Sequence, residues 1–250
     1  MNVVLNIAYV GTNYCGWQVQ PNAVSVAEEI INAIKKITGK TVKLHGSGRT
    51  DAGVHAYGQV ANFHIDTNIP AEKFANAINH YLPEDIVINY SYEADTMFHS
   101  RFDAVGKCYE YKIHNSRTPS PFYKDRVWRF DYDVDMDKVI SAAKIIEGTH
   151  DFKAFMASGS QVKDTVRTVY SVDIKKDGDI ITITVKGNGF LYNMVRIIAG
   201  NLMYIGCGKM TEEELCALFD NLDRTTGAIT APACGLYMKE VYYNTDDLKM

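Results

Sequence analysis

The sequence contains no apolar stretch long enough to cross a membrane. None of its apolar runs approaches the roughly 18 residues that span a bilayer, although the chain has 250 residues. The N-terminal stretch MNVVLNIAYVG lacks the basic start and the small-residue cleavage site of a signal peptide, and it alternates as a β-strand does. We therefore expect a cytoplasmic protein without a membrane partner.

Cysteine and histidine are too scattered to indicate a metal site. The five cysteines are odd in number and show no C-x-x-C spacing, which argues against a zinc cluster and against a disulfide framework. The seven histidines form neither H-x-x-x-H nor H-E-x-x-H. No metal-ligand set is therefore visible.

Positive charge is also in short supply. The net charge is −4, and by itself this argues mildly against a nucleic-acid partner, because phosphate binding needs a positive surface. Net charge does not describe one face of a molecule, however. A basic groove on an otherwise acidic protein stays open.

The chain alternates strands and helices in two similar halves. In the first half, residues 3–10 and 57–65 alternate as strands, a shorter strand is expected near 41–45, and Ser25 begins a helix that Gly39 ends. The second half begins with a strand at 107–113, a helix near 135–147 and a hairpin over 167–187 around an Asp-Gly turn. A buried helix near 190–205, a capping box at Thr211 and a closing strand at 235–243 follow. This order predicts two α+β halves, residues 1–104 and 105–250, that meet through a continuous sheet.

One loop carries the strongest chemical signal. Residues 45–56, HGSGRTDAGVHA, place Arg49 and Asp51 two positions apart among glycines. The loop fails as a phosphate-binding P-loop, because Val54 and His55 stand where Lys and Ser or Thr are needed, and it fails as a dinucleotide motif at its third glycine. A metal site would need more ligands than one Asp and one His.

Two interpretations of the loop stay open at this point. A glycosidase usually needs two carboxylates, but one Asp can act at a glycosidic carbon when the leaving group needs little help, as a uracil anion does. In the alternative, Asp51 caps a surface turn and pairs with Arg49.

The whole sequence resembles the tRNA pseudouridine synthase A family. The resemblance rests on nine segments in the family's order: 9–20, 25–30, 46–56, 76–86, 98–113, 148–155, 166–174, 188–209 and 235–243. It implies a pseudouridine synthase fold, a mixed α/β architecture of two ferredoxin-like or RRM-like halves that share a central antiparallel-rich sheet, with the catalytic cleft between them. It further implies a homodimer that isomerises uridines 38 to 40 in the anticodon arm of tRNA, without cofactor or metal.

The resemblance also implies roles for individual residues. Asp51 is the catalytic carboxylate, and it either attacks C1′ or removes a sugar proton. Arg196 pairs with Asp51 and lowers its pKa. Tyr109 stacks on the extruded uracil or assists proton transfer, and Arg49 props the stack open while the base is flipped.

Further residues are expected to contact the substrate. Leu236 would pack under the uracil, and the expected RNA contacts are His99, Arg101, Lys107 and, from a loop, Lys163 and Arg167. Two alternatives compete with the isomerase: an RNA-binding module without catalysis and a hydrolase of N-glycosidic bonds. A third keeps the isomerase but changes its substrate, as a family member that modifies other uridines.

Overall fold

The computed structural model describes residues 1–160 and 162–248, which divide into two compact units. The first unit contains Met1–Val105 and Tyr237–Thr245, and the second contains Gly106–Leu236 and residues 246–248. The closing strand of the chain therefore packs largely with the first unit. The division into an N-terminal half, residues 1–104, and a C-terminal half, residues 105–250, stays a prediction.

The first unit is a mixed sheet with two helices. Its elements are β1 (Asn2–Tyr9), α1 (Val26–Thr38), β2 (His45–Gly46), β3 (His55–His64), α2 (Phe74–Asn79), β4 (Ile86–Ala94) and β10 (Leu236–Tyr242). The strand order is β4-β1-β3-β10, with β2 beside β3. β1 runs antiparallel to β3 and to β4, whereas β10 runs parallel to β3. Alternation along β1 buries Val3, Leu5 and Ile7 completely.

The second unit repeats this combination with a more regular sheet. Its elements are β5 (Gly106–Asn115), β6 (Trp128–Phe130), α3 (Met136–Ile146), β7 (Gly148–Asp151), β8 (Val166–Asp177), β9 (Ile180–Gly187), α4 (Met194–Gly206) and α5 (Glu212–Asn221). The strand order is β5-β9-β8-β7, all antiparallel, and the short β6 lies parallel to β5. The mixed α/β class expected from the sequence is confirmed.

Local sequence signals place the helix ends and the hairpin. The Ser25 hydroxyl accepts the amide of Glu28, and Gly39 ends α1 in the left-handed region at φ 71°. Thr211 and Glu214 form both bonds of a capping box at α5. Gly178, at φ 55°, turns β8 into β9.

Two sequence expectations need correction. The strand expected near 41–45 is only the two-residue β2, because residues 41–44 make no ladder with β3. The buried helix expected from about 190 starts at Met194, since Asn193 before it is left-handed at φ 61°. In the described part of the chain, no helix combines the length and apolar character needed to cross a membrane.

Candidate active site

The loop with Arg49 and Asp51 lies in the first unit, between β2 and β3. Ser47 and Thr50 are buried, Arg49 is exposed and Asp51 is half-buried. The residue between the two charged side chains therefore points inward, while both charged residues keep access to solvent. This is the arrangement expected of a loop that displays two groups together.

A buried glutamine fixes the first half of this loop. Gln59, on β3, is fully buried. Its Oε1 accepts the Ser47 hydroxyl at 2.6 Å, and its Nε2 donates to the Gly48 carbonyl at 2.9 Å. The Ser47 amide also donates to the Val60 carbonyl at 2.7 Å. The backbone just before Arg49 is thus held by side-chain bonds in addition to the strand ladder.

The centre of the loop is held by residues from the N-terminal segment. The Thr50 hydroxyl lies 2.7 Å from the Tyr9 hydroxyl, in a buried contact. The Trp17 amide donates to the Thr50 carbonyl at 3.0 Å. Gly16, at φ 99°, lies so close that a Cβ there would sit 2.4 Å from the Thr50 carbonyl oxygen. Only glycine permits this approach.

A tight turn follows Asp51. The Val54 amide donates to the Asp51 carbonyl at 3.1 Å, and Gly53 adopts φ 77°. Gly11 packs against the end of the turn and donates its amide to His55 Nδ1 at 3.0 Å. The buried His55 is therefore a structural acceptor, and its ring stacks on Tyr237 at 4.6 Å.

A second turn, residues 98–103, lies beside the start of the 45–56 loop. The His99 ring lies 4.7 Å from the His45 ring, and the Ser100 hydroxyl donates to the His45 carbonyl at 2.5 Å. Burial, assisted by the neighbouring His99, Lys43 and His64, lowers the pKa of His45. Arg101 and Phe102 are exposed on this turn.

Tyr109 lies in the second unit, on β5, and is buried. Its ring packs edge-on against Phe190, with centroids 5.1 Å apart and an interplanar angle of 82°. Tyr111, on the same face, donates its hydroxyl to the Pro232 carbonyl at 2.7 Å. Burial raises the pKa of Tyr111, while the charge of Arg196 acts in the opposite direction. The Tyr111 hydroxyl thus has a structural role. The role of Tyr109 at the substrate stays a prediction.

Arg196 lies in the first turn of α4 and is half-buried. Its Nε donates to the Ala231 carbonyl at 2.7 Å, and an Nη donates to Asn193 Oδ1 at 2.8 Å. The guanidinium is therefore oriented by Asn193, just before α4, and by Ala231, in the segment that leads into β10. Its pairing with Asp51 stays a prediction.

The approach to Leu236 is fixed by the same segment. The Ala231 amide donates to the Arg196 carbonyl at 3.2 Å. Gly235 lies flat against Tyr111, where a Cβ would sit 2.7 Å from the ring. Leu236 then opens β10 as a buried residue.

The remaining predicted RNA contacts differ in setting. Lys107 is half-exposed on β5, and Lys163 is exposed outside any helix or strand. Arg167 is not in a loop as expected, because it pairs with His150 in the β7–β8 ladder. One Nη of Arg167 donates to the carbonyls of Asp164 and Val166.

Sequence reasoning missed the residues that shape the Asp51 loop. Tyr9, Gln59 and His55 all act through contacts that are distant in sequence. Gln59 did carry a signal, since a glutamine inside a buried apolar strand must find hydrogen-bond partners. Among residues 1–160 and 162–248, no group of three or more His, Cys, Asp or Glu side chains is placed to hold a metal ion.

Comparisons with known proteins give a consistent family. The profile of the family described as tRNA pseudouridine synthase matches residues 6–103 and 142–244. A tRNA pseudouridine synthase A from Thermoanaerobacter sp. strain X514 is 48% identical over 242 residues, which cover 97% of this chain and 99% of that protein. The protein of the same name from Ruminiclostridium cellulolyticum is 49% identical over 240 residues, covering 96% and 98%.

A more distant relative agrees with these matches, and one solved structure shows a weak likeness. A tRNA pseudouridine synthase A from Geobacter sp. strain M21 is 44% identical over 243 residues, covering 97% of this chain and 98% of that protein. The crystal structure of an archaeal box H/ACA sRNP Nop10-Cbf5 complex covers 94% of this chain and 58% of its own at 14% identity. Its TM-score of 0.39 is too low to assign a fold.

Proposed function

The chain belongs to the tRNA pseudouridine synthase family, and we propose that it modifies uridines 38 to 40 of the anticodon arm with Asp51 as the catalytic carboxylate. It is an isomerase that acts on uridine in tRNA. The observation that supports the role of Asp51 is the buried scaffold beneath its loop. Ser47 forms a hydrogen bond with Gln59, and Thr50 forms one with Tyr9. These bonds fix the loop backbone and so position the exposed Arg49 and the half-buried Asp51 for a substrate.

The chemistry requires one ionised carboxylate and no second reactant. The C1′–N1 bond breaks, the uracil turns over, a C1′–C5 bond forms, and the proton on C5 moves to nitrogen. Asp51 either attacks C1′ or removes a sugar proton, and it then assists the loss of the C5 proton. Either route needs the carboxylate free of its proton at working pH.

Arg196 and Tyr109 complete the proposed catalytic set. Arg196 would pair with Asp51 and keep it ionised, and its two side-chain bonds to Ala231 and Asn193 support a fixed orientation. Tyr109 would stack on the uracil or assist at C5. The buried, edge-packed ring of Tyr109 supports a fixed position for this residue.

The substrate side of the proposal follows the resemblance. Arg49 would occupy the stack when the target base is extruded, which costs a few kcal/mol in a duplex. Leu236 would pack under the uracil, and the proposed RNA contacts are His99, Arg101, Lys107, Lys163 and Arg167. A homodimer and a cytoplasmic location belong to the same proposal.

Tritium release tests the catalytic part. A tRNA transcript carrying [5-³H]uridine is incubated with the wild-type protein, with Asp51→Asn, and with Asp66→Asn, which removes an exposed carboxylate of the same unit. We expect release by the wild type and by Asp66→Asn, and none by Asp51→Asn. Carbodiimide mapping should place the product at positions 38 to 40.

The alternatives give different products. A hydrolase would release free uracil and leave an abasic site, whereas an RNA-binding module would bind tRNA without releasing tritium. Mapped product outside positions 38 to 40 would keep the isomerase and overturn the proposed targets. Release by Asp51→Asn at the wild-type rate would contradict the catalytic role of Asp51.

The proposed ion pair has its own test. Replacing Arg196 with lysine keeps the charge and loses the two oriented bonds, whereas Arg196→Gln also loses the charge. We expect the acidic limb of the pH profile of kcat/KM to move to higher pH in Arg196→Gln, because less positive charge then favours ionised Asp51. An unchanged acidic limb would contradict the pairing.

A further inference from the structure

One large aromatic side chain in the first unit is displayed to solvent by an ordered turn. Phe102 is 75% exposed, and one face of its ring lies against the His99 ring, with centroids 4.4 Å apart at an interplanar angle of 35°. With this exposed fraction, much of the ring stays accessible to solvent. Single exposed apolar residues are common on protein surfaces, so the groups around Phe102 decide what its ring can contact.

The turn that carries Phe102 is closed by four internal hydrogen bonds. The amides of Phe102 and Asp103 both donate to the His99 carbonyl at 3.1 Å. The Asp103 carboxylate accepts the His99 amide at 2.8 Å, and His99 Nδ1 accepts the Arg101 amide at 3.1 Å. Asp103 thus closes the turn and does not merely oppose the charge of Arg101.

The turn is also fastened to the sheet beneath it. The buried Ser100 donates its amide to Asn62 Oδ1 at 3.0 Å and its hydroxyl to the His45 carbonyl at 2.5 Å. The Tyr243 hydroxyl donates to the Ser100 carbonyl at 2.7 Å. Asn62 and Asn2 both donate to the Phe98 carbonyl. The backbone at Phe102 is therefore held in place before any partner binds, which reduces the entropy lost on binding.

The groups around Phe102 match the two parts of a nucleotide. The exposed guanidinium carbon of Arg101 lies 5.8 Å from the centre of the Phe102 ring. An accessible aromatic ring suits a base, and a neighbouring guanidinium suits a phosphate. The turn is bonded to His45, which begins the 45–56 loop that holds Asp51.

We propose that Phe102 is a stacking platform for an unpaired base of the tRNA substrate, with Arg101 contacting an adjacent phosphate. This inference rests on the proposed function, since it names a contact of the same substrate. The proposed base is a different one from the target uridine, which the proposed function assigns to Asp51. Phe102 therefore contributes to RNA binding and helps to position the RNA on the protein.

Binding measurements with matched variants test this proposal. Dissociation constants for fluorescein-labelled unmodified tRNA are measured for the wild type, Phe102→Ala, Phe102→Leu and Phe122→Ala. Phe122 is the matched control, since it is 89% exposed and lies on another surface turn. Both Phe102 variants should bind roughly 5- to 150-fold more weakly, the range that one lost base stack gives. Phe122→Ala should bind as the wild type does.

The salt dependence separates stacking from charge. Removing a phosphate contact lowers the slope of log Kd against log salt by about one. We expect this reduction for Arg101→Gln and an unchanged slope for Phe102→Ala. At saturating tRNA, Phe102→Ala should have the wild-type kcat. The weaker binding should appear as a higher KM.

A tryptophan reporter shows the contact directly. Both native tryptophans, Trp17 and Trp128, are buried, so Phe102→Trp adds an exposed fluorophore. Its emission should be quenched by tRNA more strongly than that of Phe122→Trp. Equal quenching, or wild-type affinity in Phe102→Ala, would overturn the proposal while leaving wild-type tritium release intact.

Two other results would also overturn it. The emission of the Phe102→Trp protein could change with protein concentration and not with added tRNA. That result would assign the ring to a contact with a second copy of the chain. Absence of tRNA binding and of tritium release in the wild type would remove the proposed function together with this inference.

Discussion

The Tyr9 hydroxyl lies 2.7 Å from Thr50 Oγ1 inside the first unit, one residue from the proposed catalytic Asp51. Burial raises the pKa of Tyr9 well above its usual value, although its hydrogen bonds to Thr50 and Gln59 act in the other direction. The phenol therefore stays neutral and able to donate. Two residues 41 positions apart in sequence thus fix the inward side of the loop.

Removing the Tyr9 hydroxyl should loosen the loop. We expect Tyr9→Phe to lower the free energy of unfolding by about 1–2 kcal/mol, since a buried hydroxyl of Thr50 loses its partner. The kcat should fall more than KM rises, because Asp51 is less well positioned while RNA contacts elsewhere persist. Urea unfolding and steady-state kinetics measure the two effects.

A double-mutant cycle provides the control for Tyr9→Phe. Thr50→Val keeps the side-chain shape and removes the other hydroxyl. The double variant should be more stable than the sum of the two single losses implies, because neither polar group is then left alone. Strict additivity would contradict a direct bond between the two side chains.

Gln59→Leu should have a larger effect on stability. It leaves the buried Ser47 hydroxyl and the Gly48 carbonyl without the partners seen in the structure. Each unsatisfied group costs roughly 1–3 kcal/mol. With both variants measured at low pH, thermal unfolding should show a lower Tm for Gln59→Leu than for Gln59→Glu. At low pH the protonated carboxyl of Gln59→Glu can still form hydrogen bonds. Equal Tm values for the two variants would contradict this prediction.

Gly11→Ala should destabilise the first unit through a backbone clash. A Cβ at Gly11 would lie 1.9 Å from the Val54 carbonyl oxygen, at the end of the Asp51 turn. Overpacking of this kind costs about 1–3 kcal/mol. Gly189→Ala is the control, because its new methyl group would meet only Arg167 at 3.7 Å. Urea unfolding should show a loss for the first variant alone.

His45 should make the stability fall with acid. Its pKa is lowered in the folded state, chiefly by burial, so the unfolded chain binds its proton more readily. Its contribution is therefore complete above the unfolded pKa of about 6.5, and it is lost as the pH falls from there through the lower pKa of the folded state.

The comparison of wild type with His45→Gln measures this contribution. Between about pH 7.5 and 5, the free energy of unfolding should decrease more steeply for the wild type. Urea titrations at a series of pH values give both curves. Parallel curves would contradict a depressed pKa of His45 in the folded protein.

The sequence predicted those elements whose signals are local. Ser25 and Gly39 bound α1, Thr211 caps α5, and Gly178 turns β8 into β9, as expected. In each case the deciding contacts lie within a few residues, so the pattern alone determines the backbone. The family resemblance, carried by segments along the whole chain, was also readable and is confirmed by the comparisons.

The tertiary structure decided the features that depend on distant partners. The sequence identified Arg49 and Asp51 as the chemical pair, but the orientation of their loop depends on Tyr9 and Gln59. The position of Arg167 in a strand depends on its pairing with His150, which lies 17 residues earlier in the sequence. The half-buried setting of Arg196 depends on where α4 begins. The sequence determined which groups are present and where local structure starts and stops. Packing between remote segments decided which of those groups face solvent, because burial is a property of the folded chain as a whole.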